Sequence, residues 1–96
     1  MSNQPTQSLP VNFTTLALSF GYSAVFAMGL EAHPQTGQVE KNLDVAQFNI
    51  DMLALLKEKT KNNLTPDERK FLDDLIGDLQ MKFVYANQTG GKENKA

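Results

Sequence analysis

The chain has 96 residues, no cysteine and a formal net charge of −2 at neutral pH. This length suits a single domain, and the lack of cysteine excludes disulfides, thiolate nucleophiles and zinc–thiolate sites, which fits a reducing cytoplasm. The slightly acidic balance gives no general attraction to nucleic acid or to anionic lipid.

The N-terminal part predicts a flexible leader followed by an apolar helix. Residues 1–11 are polar, contain two prolines and lack periodicity and positive charge, so we expect neither a helix nor a secretory signal there. Asn12 can cap a helix over about residues 13–30, a stretch without any charged residue. Its core stripe is predicted to hold Phe13, Leu16, Ala17, Phe20, Ala24, Ala27 and Met28.

The opposite side of this first helix is also uncharged, which a solvated face would not be. It carries four large apolar residues among hydroxyl residues, namely Leu18, Tyr22, Val25 and Phe26. We predict that these four form a self-association surface, with Ala17, Gly21 and Ala24 allowing helices of two copies to approach closely. Small domains without disulfides or metals often gain stability in this way.

A membrane-associated accessory protein anchored by the first helix is the alternative. Eighteen helical residues span about 27 Å, just short of the roughly 30 Å of a bilayer core. Against it stand the hydroxyl residues within the helix and the lack of Lys or Arg before it to set an orientation.

The segment 31–42 contains Pro34 and Gly37 and predicts a loop. A second helix is predicted over about residues 43–61, with Asn42 as its cap. Its apolar residues cover half of its circumference, wide enough to touch two neighbours: Val45, Ala46, Phe48, Met52, Leu53, Leu55 and Leu56. Asn49 lies in the middle of this arc, where its amide needs a hydrogen-bond partner.

The strongest local signal is Thr65-Pro66-Asp67-Glu68, a capping box that predicts a third helix over about residues 66–86. Asn62 or Asn63 can take the left-handed conformation that ends the second helix. The short link predicts an antiparallel hairpin of these two helices, and residues 87–96 read as a disordered tail. Met81, Val84 and Tyr85 lie outside the inward stripe and are a candidate partner surface.

The stretch from Ile50 to Glu68, with its Glu-Lys-Thr-Lys-x-Asn-Leu-Thr connection over residues 58–65, resembles an uncharacterised bacterial family, Domain of Unknown Function 1844. In the family pattern x is usually glycine, and here it is Asn62. The match extends over about residues 13–85. The resemblance implies a small, mainly helical cytoplasmic protein and brings no activity with it.

No residue pattern predicts a catalytic, cofactor or metal site. His33 stands alone in a polar loop, and Asp73, Asp74 and Asp78 read as a solvated helix face. Lys57, Lys59 and Lys61 suit a helix C-terminus, and an RNA-binding role is not favoured because interleaved aromatic residues are missing.

The sequence therefore predicts an all-α, three-helix domain that homo-oligomerisation completes. We expect a non-enzymatic protein-interaction or scaffold module, without cofactors, that binds itself and can bind a further protein partner.

Overall fold

The structure is a computed structural model that describes residues 9–95, with side chains described as far as residue 88. It contains three helices, α1 (Phe13–Ala27), α2 (Leu43–Lys59) and α3 (Pro66–Lys95), and no named strand within that range. The predicted all-α class is confirmed. Residues 1–8 of the predicted leader, and Ala96 of the predicted tail, lie outside the described residues.

All three helices begin where the sequence places them, because each start is capped by a nearby side chain. The amide oxygen of Asn12 accepts from the backbone N–H three residues on at 2.8 Å, and that of Asn42 does the same at 3.1 Å. At α3 the Thr65 hydroxyl accepts from the Glu68 N–H at 3.1 Å, and the Glu68 carboxylate accepts from the Thr65 N–H at 2.9 Å. These bonds satisfy N–H groups that the first helical turn leaves without a partner.

The end of α1 differs from the prediction, which extended this helix to Leu30. The helix ends at Ala27, Gly29 takes a φ of +79°, and Met28 forms an isolated antiparallel bridge with Lys41. The Asn42 N–H also donates to the Ala27 carbonyl at 2.7 Å. The predicted loop is thus closed at its base by backbone pairing between its two ends.

The other two helix ends also shift. The second helix ends at Lys59, after which Asn62 adopts the left-handed conformation that the sequence predicts for this turn, with φ +69°. Helix α3 continues to Lys95, past its predicted end at residue 86.

The helices run up, down and up around one core. Helix α2 is antiparallel to α3, since Lys57 pairs with Asp73 at 2.7 Å at one end and the Lys41 ammonium donates to the Ala86 carbonyl at 3.2 Å at the other. Each pair of helices is in contact. The buried apolar residues are Ala17, Ala24, Met28, Ala46, Ile50, Leu53, Leu72, Leu79 and Ala86.

The contribution of α1 to this core is made mostly of small residues. Ala17 and Ala24 are fully buried, and between them Gly21 lies so close to α3 that a methyl group in place of its hydrogen would sit 3.2 Å from a Leu75 methyl carbon. Ala17 and Ala24 thus lie in the core, as the predicted core stripe requires. With Gly21 they are covered by α3 or by the core of the same chain, whereas the predicted close approach of two copies needs them exposed.

The observed α1 has 15 residues, which correspond to about 22 Å, against roughly 30 Å for a bilayer core. Over the part of the chain that the structure describes, no helix combines the length and the apolar character that crossing a membrane requires.

Candidate interaction surface

The four residues predicted for self-association do not form one open patch. Tyr22 is 58% exposed, whereas Leu18, Val25 and Phe26 are half-buried. Val25 packs against the core, and the Phe26 ring lies 5.2 Å from the His33 ring at a tilt of 45°. Two of the four residues therefore make contacts within the chain: Val25 packs against the core, and Phe26 packs against the loop.

A larger apolar surface lies on α2, on the half of its wide apolar arc that points away from the core. Phe48 is 60% exposed, Leu55 49% and Val45 44%, while Met52 is half-buried. The four recur at intervals of three and four residues, so they form one continuous stripe along the helix.

Helix α1 extends this stripe sideways. Phe20 lines a shallow depression of about 140 Å³ together with Met52, Leu55 and the stem of Lys59. Leu16, one turn before Phe20 on the same side of α1, is 45% exposed although the sequence placed it in the core. We call this surface the α1–α2 face and define it by Leu16, Phe20, Val45, Phe48, Met52 and Leu55.

A second depression, of about 310 Å³, lies between α1 and the start of α2. Ser23 and Ala27 line it from α1, Val45 from α2, and His33 from the loop. Since Val45 also belongs to the α1–α2 face, the two depressions follow one seam between these helices. The loop therefore forms one end of the face.

Asn49 lies on α2 between the core and the α1–α2 face. It is 7% exposed, and its side-chain amide donates to the Val45 carbonyl one turn earlier at 3.0 Å. The sequence required a partner for this amide, and the backbone of the same helix provides one. A polar group can thus be buried here without a contact from α1 or α3.

The two long edges of the α1–α2 face differ in their chemistry. Beyond the stripe on α2 lies a row of exposed carboxylates spaced seven residues apart, Asp44, Asp51 and Glu58. Beyond Leu16 and Phe20 on α1 lie exposed hydroxyl residues without any charge, Ser19, Tyr22 and Ser23. One edge is acidic, and the other is uncharged and carries hydroxyl groups, of which that of Ser19 donates to the Leu16 carbonyl at 2.7 Å.

The candidate partner surface on α3 is exposed but smaller. Met81 is 74% exposed, Val84 54% and Tyr85 60%, on the side of α3 opposite the buried Leu79 and Ala86. These three lie within about one turn of α3. This surface is on a different helix from the α1–α2 face.

Three acidic residues of α3 are paired with lysines. Asp73 contacts Lys57 at 2.7 Å, Asp74 contacts Lys70 at 2.9 Å, and Asp78 contacts Lys82. The hydrogen bond to the Asp74 carboxylate, with its negative charge, raises the pKa of Lys70. Within residues 9–88, His and acidic side chains nowhere form a group of three that could hold a metal ion.

The remaining polar candidates are His33 and the lysines at the end of α2. His33 accepts the Gln35 N–H on Nδ1 at 3.1 Å and so shapes its own loop. Lys57 and Lys61 line a cavity of about 290 Å³ with Arg69, at the turn between α2 and α3, but Glu58 lines it as well. Acidic residues accompany these cations on both sides of the turn, namely Glu58 on α2 and Asp73, which pairs with Lys57, on α3.

Sequence reasoning noticed the wide apolar arc of α2 but placed the self-association surface on α1. The signal that marks the α1–α2 face is the spacing of Val45, Phe48, Met52 and Leu55, a seven-residue repeat of the kind found where two helices pack side by side. The acidic residues at the same seven-residue spacing on one flank reinforce it.

A family model described as Domain of unknown function (DUF1844) matches residues 10–85, which include α1, α2 and most of α3. Neither the curated proteins nor the solved structures contain a match to this chain. The matched residues include the Glu-Lys-Thr-Lys-x-Asn-Leu-Thr connection, where Asn62 takes the left-handed conformation. The chain belongs to the DUF1844 family.

Proposed function

We propose that this chain is a non-enzymatic protein-interaction module that works as a homo-oligomer, and that its copies meet through the α1–α2 face. The observation that carries the proposal is the exposure of Phe48, Leu55 and Val45 in one stripe that α1 widens with Leu16 and Phe20. Monomeric proteins seldom expose a contiguous apolar surface of this kind, and where they do it commonly marks an interaction site.

The exposed fraction of these side chains gives the driving force for association. Burying a large apolar side chain completely stabilises a protein by about 1.5–3 kcal/mol. Phe48 alone has 60% of its surface left to bury, and a twofold dimer contains two copies of each residue. Pairing two α1–α2 faces therefore supplies several kcal/mol against the loss of translational and rotational freedom.

Three observations support a role without catalysis. The only histidine uses Nδ1 within its own loop, the carboxylates of Asp73, Asp74 and Asp78 are paired with lysines, and the chain has no cysteine. The exposed residues Met81, Val84 and Tyr85 on α3 remain outside the proposed self-association surface, so they provide a place for a further protein partner in the assembled form.

The test is the molar mass of the full chain, measured by light scattering after size exclusion over a wide range of concentrations. We expect the wild type to rise from the monomer mass toward twice that value. Phe48→Asp should remain monomeric with an unchanged helical circular-dichroism spectrum, because its side chain is mostly exposed in the single chain. The matched control Met81→Asp introduces the same charge on α3 and should behave as the wild type.

Two results would contradict the proposal. One is a wild-type chain that stays monomeric up to millimolar concentration. The other is a Phe48→Asp variant that associates as strongly as the wild type.

A further inference from the structure

We infer that the second copy docks with its α1 against α2 and its α2 against α1, around a twofold axis that runs along the helices. This inference rests on the proposed function, because it specifies how two α1–α2 faces meet. It specifies which edge of the second copy each edge of the face meets, and which residues come together between the two copies.

Two layers of two helices can pack face to face around a twofold axis in only two simple ways. If the axis runs along the helices, each α1 lies over the α2 of the other copy. If the axis runs across the helices, each α1 lies over the other α1 and each α2 over the other α2. Both arrangements bury the same apolar stripe, so burial does not distinguish them.

The edges of the face distinguish them. An axis across the helices places the carboxylate rows of both copies, Asp44, Asp51 and Glu58, along the same edge of the dimer. Like charges opposed across an interface disfavour a complex. The cation beside this row is Lys59, which follows Glu58 at one end of it and lines the depression with Phe20, so Asp44 and Asp51 stay without a neighbouring lysine on this edge.

An axis along the helices places each carboxylate row beside the α1 edge of the other copy. That edge carries no charge and presents the hydroxyl groups of Tyr22 and Ser23, whereas the Ser19 hydroxyl donates to the Leu16 carbonyl of its own helix at 2.7 Å. A hydroxyl can donate to a carboxylate, and such charge-assisted hydrogen bonds are stronger than neutral ones. The acidic edge and the hydroxyl edge of one face are therefore complementary to each other in a second copy.

The heights of the residues also agree with this arrangement. Phe20 and Met52 line one depression, so they lie at the same level along the helices. An axis parallel to the helices keeps every residue at its level, which brings Ser19 of one copy to the level of Asp51 in the other. Each α1 is then antiparallel to the α2 it meets, as neighbours are in up-and-down four-helix bundles.

The size of the face places it among small interfaces. Helix α2 has 17 residues, or about 25 Å, and two packed helices are about 20 Å wide, so the face projects over roughly 500 Å². A standard interface buries about 800 Å² of accessible surface per partner. Because buried area does not fix affinity, the light-scattering series must cover a wide range of concentrations.

Cysteine cross-linking tests the arrangement without background, because the natural chain has no cysteine. The variants Ser19→Cys and Asp51→Cys are mixed at concentrations at which wild-type scattering shows a dimer, and treated with a short bis-maleimide. We expect the mixture to give a cross-linked dimer at a yield at least five-fold above either variant alone. The control mixture contains Met81→Cys, which is exposed on α3, in place of Ser19→Cys. Mixed with Asp51→Cys, it should not give this raised yield of cross-linked dimer.

The outcomes separate this inference from the proposed function. Efficient cross-linking of Asp51→Cys with itself, and none in the mixture with Ser19→Cys, would overturn the arrangement while leaving a dimer in place. A chain that never dimerises in light scattering would overturn the proposed function and the arrangement together.

Discussion

The close approach of α1 to α3 at Gly21 gives a stability prediction that compares two glycines of the same chain. Both Gly21 and Gly77 lie inside helices, where replacing glycine by alanine favours the helix by about 0.8–1 kcal/mol. Their surroundings differ. A methyl group at Gly77 would meet nothing within 4 Å, whereas one at Gly21 would lie 3.2, 3.5 and 3.7 Å from three carbons of the Leu75 side chain.

These distances set the expected difference in the free energy of unfolding. Gly77→Ala should keep the full helical gain and stabilise the chain by about 0.8 kcal/mol. At Gly21 the same gain is opposed by the Leu75 methyl carbon at 3.2 Å, which must shift by a few tenths of an ångström. Overpacking costs about 1–3 kcal/mol in well-packed cores, and Leu75 is only half-buried, so we expect Gly21→Ala to be less stable than Gly77→Ala by about 1 kcal/mol, the lower end of that range.

Urea unfolding at one fixed protein concentration measures both variants, since self-association would otherwise shift the midpoint. The Leu75→Ala background is the control, because it removes the side chain that the new methyl group would meet. In that background Gly21→Ala should recover most of its helical gain, which a double-mutant cycle detects as coupling between the two positions. Equal stabilisation by Gly21→Ala and Gly77→Ala in the natural background would refute the close packing of α1 on α3.

Two further predictions concern the turns and the caps. Gly29→Ala should destabilise the chain by about 1–2 kcal/mol because its backbone is left-handed, and by more because the new methyl group would lie 3.2 Å from Lys41. Gly37→Ala, with φ +73° and nothing within 4 Å of the new methyl group, should show only the backbone cost. Thermal melts compare the two variants, and equal losses of stability would argue against the Lys41 contact. Thr65→Ala should lose about 1 kcal/mol in urea unfolding because its hydroxyl caps α3, and Thr65→Ser should retain the cap; a Thr65→Ala variant as stable as the wild type would contradict this role.

The helix starts were predictable because their cause is local. A cap such as Asn42 or Thr65 acts on an N–H only three residues away, so the relevant chemistry is contained in one short stretch of sequence. The left-handed turn at Asn62 is equally local. These positions depend little on what the rest of the chain does.

The end of α1 was missed although its own stretch of sequence contains a stop signal. The apolar pattern continues to Leu30, but Gly29 takes the left-handed conformation, with φ +79°. The N–H groups of Gly29 and Leu30 donate to the Phe26 and Val25 carbonyls at 3.0 and 3.4 Å, as in a Schellman cap. The bridge between Met28 and Lys41 adds a contact from outside the helix, which a pattern within one helix cannot show.

The location of the candidate surface was missed for a related reason. Both sides of α1 are apolar and uncharged, so the sequence of this helix alone does not show which side α3 covers. The structure turns Ala17, Gly21 and Ala24 inward and leaves Leu16 at an open edge. The open apolar surface consequently lies where α1 meets α2, rather than on the far side of α1 at Tyr22.

The lack of charge on α1 has a second explanation in this arrangement. A helix whose outer edge faced only water would be expected to carry charged residues, yet Ser19, Tyr22 and Ser23 carry none, while the outer edge of α2 carries Asp51 and its acidic neighbours. A single folded chain does not account for this asymmetry, because the two edges lie on different helices and do not touch. The asymmetry becomes complementary once each edge meets the other edge of a second copy. The same feature that resembled a membrane segment in the sequence therefore acts, in our proposal, as the uncharged half of a self-complementary surface.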